Sequence, residues 1–337
     1  MLDPARPALV LAPMDGVTDA PMRALQGAAG AYTYAVSEFL RVSQTVPPKS
    51  AFYRRVPELL TAGRTATGMP VQVQLLGGDA GLMAESAARA HELGAAAIDI
   101  NFGCPAPTVN RHDGGATLLK YPARIRAIVR AVRAAVPVAI PVSAKLRLGW
   151  DCADSVYENA EMAAEGGATW LTVHARTRTA GYAPPVFWGH VGRVRERLGI
   201  PVVANGDIWT LADFRRCREE TGCRHFMLGR GGLADPHLPR QVAAELGLTA
   251  APNVPHGHDW SAYLRNLVAL TPARDGVRPE QAVGPLKQWL RLAAGRGTFA
   301  RFDSVKRARS VEELFAALDS PACFFRDDCP TRRTLSG

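Results

Sequence analysis

The sequence predicts an α/β chain, a (β/α)8 TIM barrel followed by a small C-terminal all-α helical domain, on three observations. Short apolar runs bounded by turn residues alternate with helical patterns eight times. The eight units spread over about 245 residues, the size of such a barrel. Beyond them the apolar spacing is helical only. The expected strands cover 8–13, 32–38, 70–76, 96–101, 141–147, 169–175, 201–205 and 225–230. The helical patterns between them cover 19–29, 79–94, 123–136, 154–167, 191–199, 211–222 and 236–247. Several close on Gly, the residue favoured just past a helix C-terminus. The connection from the second strand to the third is longer and less regular. A doubly wound sheet is the alternative, but no GxGxxG follows the first strand. Residues 1–248 are expected to form the barrel and TAAPNVPHG (249–257) a linker. Residues 258–337 form the helical domain, with amphipathic stretches at 258–271, 279–295 and 310–320.

Bulk properties narrow the function classes. Of 337 residues, 47% are hydrophobic and 21% charged, ordinary for a folded chain. The N-terminus lacks the basic region of a signal peptide, and no stretch of about 18 apolar residues suggests a membrane span. Six cysteines (104, 152, 217, 223, 323, 329) form no CxxC pair, so neither a zinc site nor a disulfide scaffold is expected. A cytoplasmic protein without metal fits this usage. The net charge of +9 points either to a polyanionic partner, nucleic acid first, or to a merely solvated surface. Residues 251–337 carry 13 Lys and Arg against 9 Asp and Glu. Within them Arg291, Arg296, Arg301, Lys306, Arg307 and Arg309 surround the single acid Asp303, a basic stripe.

Barrel active sites are built at the C-terminal ends of the strands, and polar residues fall there one after another. The first strand is followed by Pro13, Met14 and Asp15, the second by Glu38 and Arg41, and the third contains Gln74. The fourth ends in Asn101 and Cys104, the fifth in Lys145 and Arg147, the sixth in His174 and Arg176. The seventh gives Asn205, Gly206 and Asp207, the eighth Gly229 and Arg230. Glycine turns after strands seven and eight, with a cation, suit a cofactor phosphate, although Gly also serves tight turns alone. Gln74 in an apolar strand needs a partner if buried: a flavin ring edge or a core contact. A lysine in a barrel mouth is desolvated unless it meets an anion or developing negative charge, so Lys145 suits the edge of a reduced flavin. His174 is either a satisfied core residue or a site group.

The turn INFGCPAPTVN (100–110) sets Cys104 between Gly103 and Pro105 just past the fourth strand. The competing readings are an inert buried thiol, a nucleophile and a proton donor. A nucleophile needs a base, and none is adjacent in sequence. A donor needs reach and mobile surroundings, which RHDGGATLLK (111–120), hinged at Gly114 and Gly115, would supply.

These motifs together resemble the tRNA-dihydrouridine synthases. The matching stretches are APMDGVTD (12–19), SEF (37–39), VQLLG (73–77), DINFGCPAPTVNRHDGGATLL (99–119), VSAKLRLGW (142–150), TVHARTRTAGY (172–182), ANGDIW (204–209) and LGRGGL (228–233). They run in family order through the barrel, and LKQWL (286–290) resembles the family's RNA-binding tail. The resemblance implies an FMN enzyme that reduces the C5–C6 bond of a D-loop uridine in tRNA with NADPH, or NADH, as reductant. It implies flavin contacts at Pro13, Met14, Asp15, Gln74, Lys145, His174, Asn205, Gly206, Asp207, Gly229 and Arg230. Cys104 matches the acid that protonates C5 while hydride reaches C6. Asn101 and His174 match groups around flavin and target uracil, and Tyr182 a tRNA contact on the rim.

Arg41 and Lys287, both expected to contact the tRNA, and the long form VSAKLRLGWD resemble most the bacterial subgroup acting at uridine 16. Phe102, Pro285 and Leu292 depart from that subgroup's pattern, and Lys306 or Arg307 is expected to supply the remaining basic contact. Two rivals stand beside this reading. One is an FMN barrel oxidoreductase for a free pyrimidine, which has no reason for a basic tail. The other is a non-catalytic tRNA-binding folding helper, which has none for Gln74, Cys104, Lys145 and His174 together. One active site with one appended RNA-binding domain suggests a monomer.

Overall fold

A computed structural model describes residues 1–110, 113–250, 257–271 and 279–320. Its centre is a closed barrel of eight parallel strands: β1 (Ala8–Leu11), β2 (Tyr34–Val36, resumed at Leu40–Arg41), β3 (Val71–Leu76), β4 (Ile98–Asn101), β5 (Val142–Arg147), β6 (Trp170–His174), β7 (Val202–Asn205) and β8 (His225–Leu228). β1 pairs with β8 (Val10 opposite Met227), and Ala35 pairs with Val71 between β2 and β3, so no edge is left open. Every expected strand is present, each a little shorter than its apolar run.

The second strand is interrupted, and the cause is a side chain. Ser37 Oγ accepts the Gln74 backbone N–H at 3.1 Å, a bond the ladder would otherwise make, and donates to the Glu38 carbonyl at 2.9 Å. The irregular connection that follows holds α2 (Lys49–Arg55) and a 3-10 turn at Pro57–Thr61, neither legible in the hydrophobic pattern. The helical patterns elsewhere are realised with capped starts. Asp19, Asp79 and Thr210 accept backbone N–H groups at the N-termini of α1 (Ala20–Ala28) and of the helices Ala80–Glu92 and Leu211–Thr221.

Because side chains alternate along a strand, residues two apart share a face. The inward face carries an apolar floor with Val10, Tyr34, Trp170, Val203 and Met227. Above it lie Gln72, Asp99 and Ser143, and then Gln74, Asn101, Lys145, His174 and Asn205 near the strand C-termini. This inverts the usual filling of a barrel, where bulky aliphatics dominate. The polar upper layers mark the functional end.

In the tail, Trp260–Leu270, Pro279–Ala294, Phe302–Val305 and Val311–Asp319 are helical. Their apolar faces meet in a second core around Trp260, Leu264, Leu286, Trp289, Leu290 and Leu314, which also takes in Met22 and Leu233 of the barrel. Trp289 Nε1 donates to the Leu233 carbonyl at 2.8 Å, tying the tail to the short helix Arg230–Ala234. Residues 251–256 of the expected linker, and residues 321–337 of the expected helical domain, lie outside the described residues. No helix among the described residues is long and apolar enough to cross a membrane.

Candidate active site

One cavity of about 1330 Å³ opens at the C-terminal face of the barrel. Pro13, Met14, Asp15, Arg41, Gln74, Asn101, Cys104, Lys145, His174, Tyr182, Asn205, Gly206, Asp207, Gly229 and Arg230 all line it. That volume exceeds the roughly 300–1,000 Å³ of an ordinary small-ligand pocket, leaving room for a cofactor and a second group. Lys287, Lys306 and Arg307 are elsewhere, on the tail. Lys287 is turned into the fold, donating to the Ala308 carbonyl at 2.9 Å, while Lys306 and Arg307 are exposed.

The turns after β7 and β8 are in direct contact. A Cβ on Gly231 would lie 2.0 Å from the Ile208 carbonyl oxygen, so only glycine permits this approach. Asp207 is gripped by both guanidinium nitrogens of buried Arg176 and by Arg230 at 3.2 Å. Those hydrogen bonds and charges hold its carboxyl below the usual range, against the opposing effect of burial. Arg230 is thereby oriented across the turn, over the Tyr182 ring at 4.5 Å and the Trp209 ring at 4.9 Å.

Lys145 Nζ donates to Asn205 Oδ1 at 3.1 Å, and Asn205 Nδ2 donates in turn to the Met227 carbonyl. Burial, with Arg147 beside it, lowers the Lys145 pKa to about 8. Burial also pushes His174 well below its ordinary value, and Arg147, Lys145, Arg176 and Arg230 act the same way. The imidazole is therefore neutral at neutral pH, and its buried Nδ1 has no partner among the described residues.

Cys104 is half-buried at the end of a constrained turn. Its backbone N–H and that of Gly103 both donate to Asn101 Oδ1 at 2.9 Å. Arg147 grips the other side of the turn, donating to the carbonyls of Gly103 at 2.8 Å and Gly181 at 2.8 Å, which links it to the loop bearing Tyr182. The Gly114–Gly115 segment expected to hinge instead packs on the cysteine. Gly115 has φ +60°, and a Cβ there would meet the Cys104 carbonyl oxygen at 3.0 Å. Residues 111–112 lie outside the described residues. Burial raises the thiol pKa, so Cys104 keeps its proton at neutral pH.

Gln74 is anchored from within: Nε2 donates to Asp99 at 2.6 Å, and Oε1 accepts from Asn101 at 2.8 Å. Asp99, Arg54 and Arg55 escaped the sequence reading as individual site groups. Asp99 had a usable signal, a polar residue two before Asn101 and hence on the same strand face. Arg55 had none. It comes from α2 and pairs with Asp15 and with Glu38 (3.2 Å), offsetting part of their charge at the mouth. With Arg41, Arg54, Lys145, Arg147 and Arg230 it makes six cations around the cavity, against Asp15, Asp19, Glu38 and Asp207.

A parallel barrel that gathers a protonated thiol, a neutral imidazole and clustered cations at its strand C-termini has the layout of a barrel enzyme. The sequence profile described as dihydrouridine synthase (Dus) matches residues 10–266. A tRNA-dihydrouridine(16) synthase of Pseudomonas putida is 47% identical over 285 residues, 84% of this chain and 87% of its own. Proteins of the same name from Aquipseudomonas alcaligenes (43%; 91% of this chain, 97% of its own) and Neisseria meningitidis serogroup B (40%; 92% and 94%) are similar. The chain belongs to the dihydrouridine synthase family and is an oxidoreductase.

Proposed function

We propose that this enzyme reduces the C5–C6 bond of a uridine in the tRNA D-loop, at position 16, with bound FMN and NADPH as reductant. The observation that carries the reading is a single thiol, Cys104, lining the cavity with its proton retained, in a chain whose relatives are named for that product.

The cavity's own chemistry fits a flavin mononucleotide. Lys145 has one fixed acceptor, Asn205, and Gln74 has one amide N–H left after Asp99, so both can meet polar ring edges. Arg230 beside the glycine turns suits a phosphate, with Asp207 fixing the guanidinium. Pro13, Met14, Asp15, Asn205, Gly206 and Gly229 complete the wall. When bound, reduced flavin supplies hydride chemistry for C6 of the uracil.

Reduction also needs a proton at C5. His174, held neutral, is a poor acid, whereas the Cys104 thiol carries its proton at neutral pH and faces the cavity. Asn101 holds the Cys104 turn, and Lys145 stabilises negative charge that develops nearby. The base must leave the RNA stack to enter the barrel. Arg41 and Tyr182, the latter 54% exposed, stand at the mouth to receive it. Lys306 and Arg307 on the tail supply backbone contacts, with Lys287 bracing the segment that carries them.

Position-resolved dihydrouridine mapping tests this. Unmodified tRNA incubated with the protein, FMN and NADPH gains dihydrouridine at position 16 alone. Reduction at 17, 20 or 20a instead refutes the position while keeping the reaction. Reduction of free pyrimidines but not tRNA refutes the substrate.

A further inference from the structure

The turn that carries Cys104 is held by a side-chain amide, and an amide alone does not say which end accepts. Asn101 must present its oxygen to the Gly103 and Cys104 N–H groups. Its Nδ2 must then find an acceptor, which is Gln74 Oε1 at 2.8 Å. Gln74 must in turn present its own amide nitrogen downward, to Asp99 Oδ2 at 2.6 Å. Two amides in series set no direction of their own, so it is imposed from the two ends. The turn's N–H donors demand the Asn101 oxygen from above, and Asp99, a carboxylate that only accepts, enforces the same polarity from below. Its other oxygen accepts from Ser143 Oγ, which itself accepts from Gln72 Nε2 at 2.9 Å, so nothing below opposes that sense.

Asp99 is 2% exposed, and Gln74 and Ser143 are fully buried, so water offers the chain no alternative partners. Burial raises the Asp99 pKa to about 6, with Ser143, Gln74 and Lys145 acting against it, which leaves the carboxylate form at neutral pH.

We propose that Asp99 is a positioning residue for the Cys104 turn, acting through Gln74 and Asn101 by fixing the direction of their hydrogen bonds. With the opposite direction, Asn101 would aim its NH2 at two backbone donors, and the turn would have no acceptor. Asp99 lies a strand layer below the cavity wall and is not among the residues that line it. The inference deepens the reading of Cys104 as the acid, but amide exchange in the turn is measurable whether or not that reading holds.

The test is peptide-resolved amide hydrogen exchange on the full-length protein. Asp99→Asn keeps the shape but offers a donor as well as an acceptor, so both polarities become accessible. Exchange at Gly103 and Cys104 should quicken about tenfold while the rest of the barrel is unchanged. The paired swap Asp99→Asn with Asn101→Asp reverses the chain yet returns an acceptor to the turn, and should restore protection there. Should Asp99→Asn fail to fold, Gln74→Met interrupts the same chain and should quicken the same two amides. Exchange within twofold of the parent in the folded single variants overturns the proposal, and so does a swap that restores nothing.

Discussion

Lys145 shows how a single side chain can be costly to the fold and useful to the site. Its ammonium is half-buried beside Arg147, with Asn205 as its fixed acceptor, and its pKa falls from 10.5 to about 8. Between those values the unfolded chain binds more protons than the native one, so stability rises with pH across that window. The cost of the charge is fully present below about pH 8. The unfolding free energy of the ligand-free protein should therefore climb from pH 8 to 10 with a Lys145 contribution of up to about 1.4 kcal/mol per unit. Denaturant melts of the parent and Lys145→Met at three pH values check this; equal slopes in the two proteins would refute it. Cys104 is the opposite case, half-buried with its thiol on the cavity wall. Cys104→Ala should melt close to the parent and still bind tRNA. Its reduction rate should fall about 10²- to 10⁴-fold, the usual contribution of a positioned acid. A variant that reduces tRNA at the parental rate would remove Cys104 from the reaction.

At the scale of elements, the 3-10 turn Gly115–Lys120 lies packed against the thiol-bearing turn. Gly115 combines φ +60° with a neighbour at every side: a Cβ would lie 2.9 Å from Val109 Cγ1 and 3.1 Å from Cys104 Cβ. Gly115→Ala should cost about 1–3 kcal/mol from backbone strain and overpacking together. Because the contact is with the thiol-bearing turn, the variant should also expose Cys104 to alkylation faster than its loss of stability predicts. The same region shows what pattern reading reaches. Strands and helices were legible wherever apolar spacing set them, as at Val142–Arg147 and Pro122–Ala135. The break in β2 was not, because it depends on the Ser37 hydroxyl replacing a ladder bond to Gln74, a long-range event. Helix Lys49–Arg55 was hidden by a polar sequence with one fully buried residue, Phe52, and with it went Arg55. Cavity residues at strand ends were legible from position alone. The hydrogen-bond direction through Gln74 was not, since it needed Asp99 and Asn101 to be seen on one face.

For the whole molecule, the proposed role of the tail in binding tRNA turns on which of its cations are exposed. Composition shows a stripe of six, but the fold uses them differently. Arg301 points inward and donates to the carbonyls of Ala317, Leu318 and Ser320, closing the C-terminal end of helix Val311–Asp319. Arg291, Arg296, Lys306, Arg307 and Arg309 are exposed, and Arg296 lies 3.5 Å over the Trp209 ring, where the tail reaches the cavity rim. Neutralising phosphates releases counterions, so tRNA affinity should fall linearly on a log–log plot against salt. Each exposed cation that meets a phosphate adds about one to that slope. Arg307→Ala should therefore lower the slope by about one, with unchanged melting temperature. Arg301→Ala should leave the slope alone and destabilise the tail by about 1.5–3 kcal/mol, the worth of charged hydrogen bonds left unmade. Filter binding at four salt concentrations, with thermal melts of the same samples, separates the two. If Arg301→Ala lowers the slope and Arg307→Ala does not, the RNA contacts lie on a different face of the tail from the one these exposures indicate.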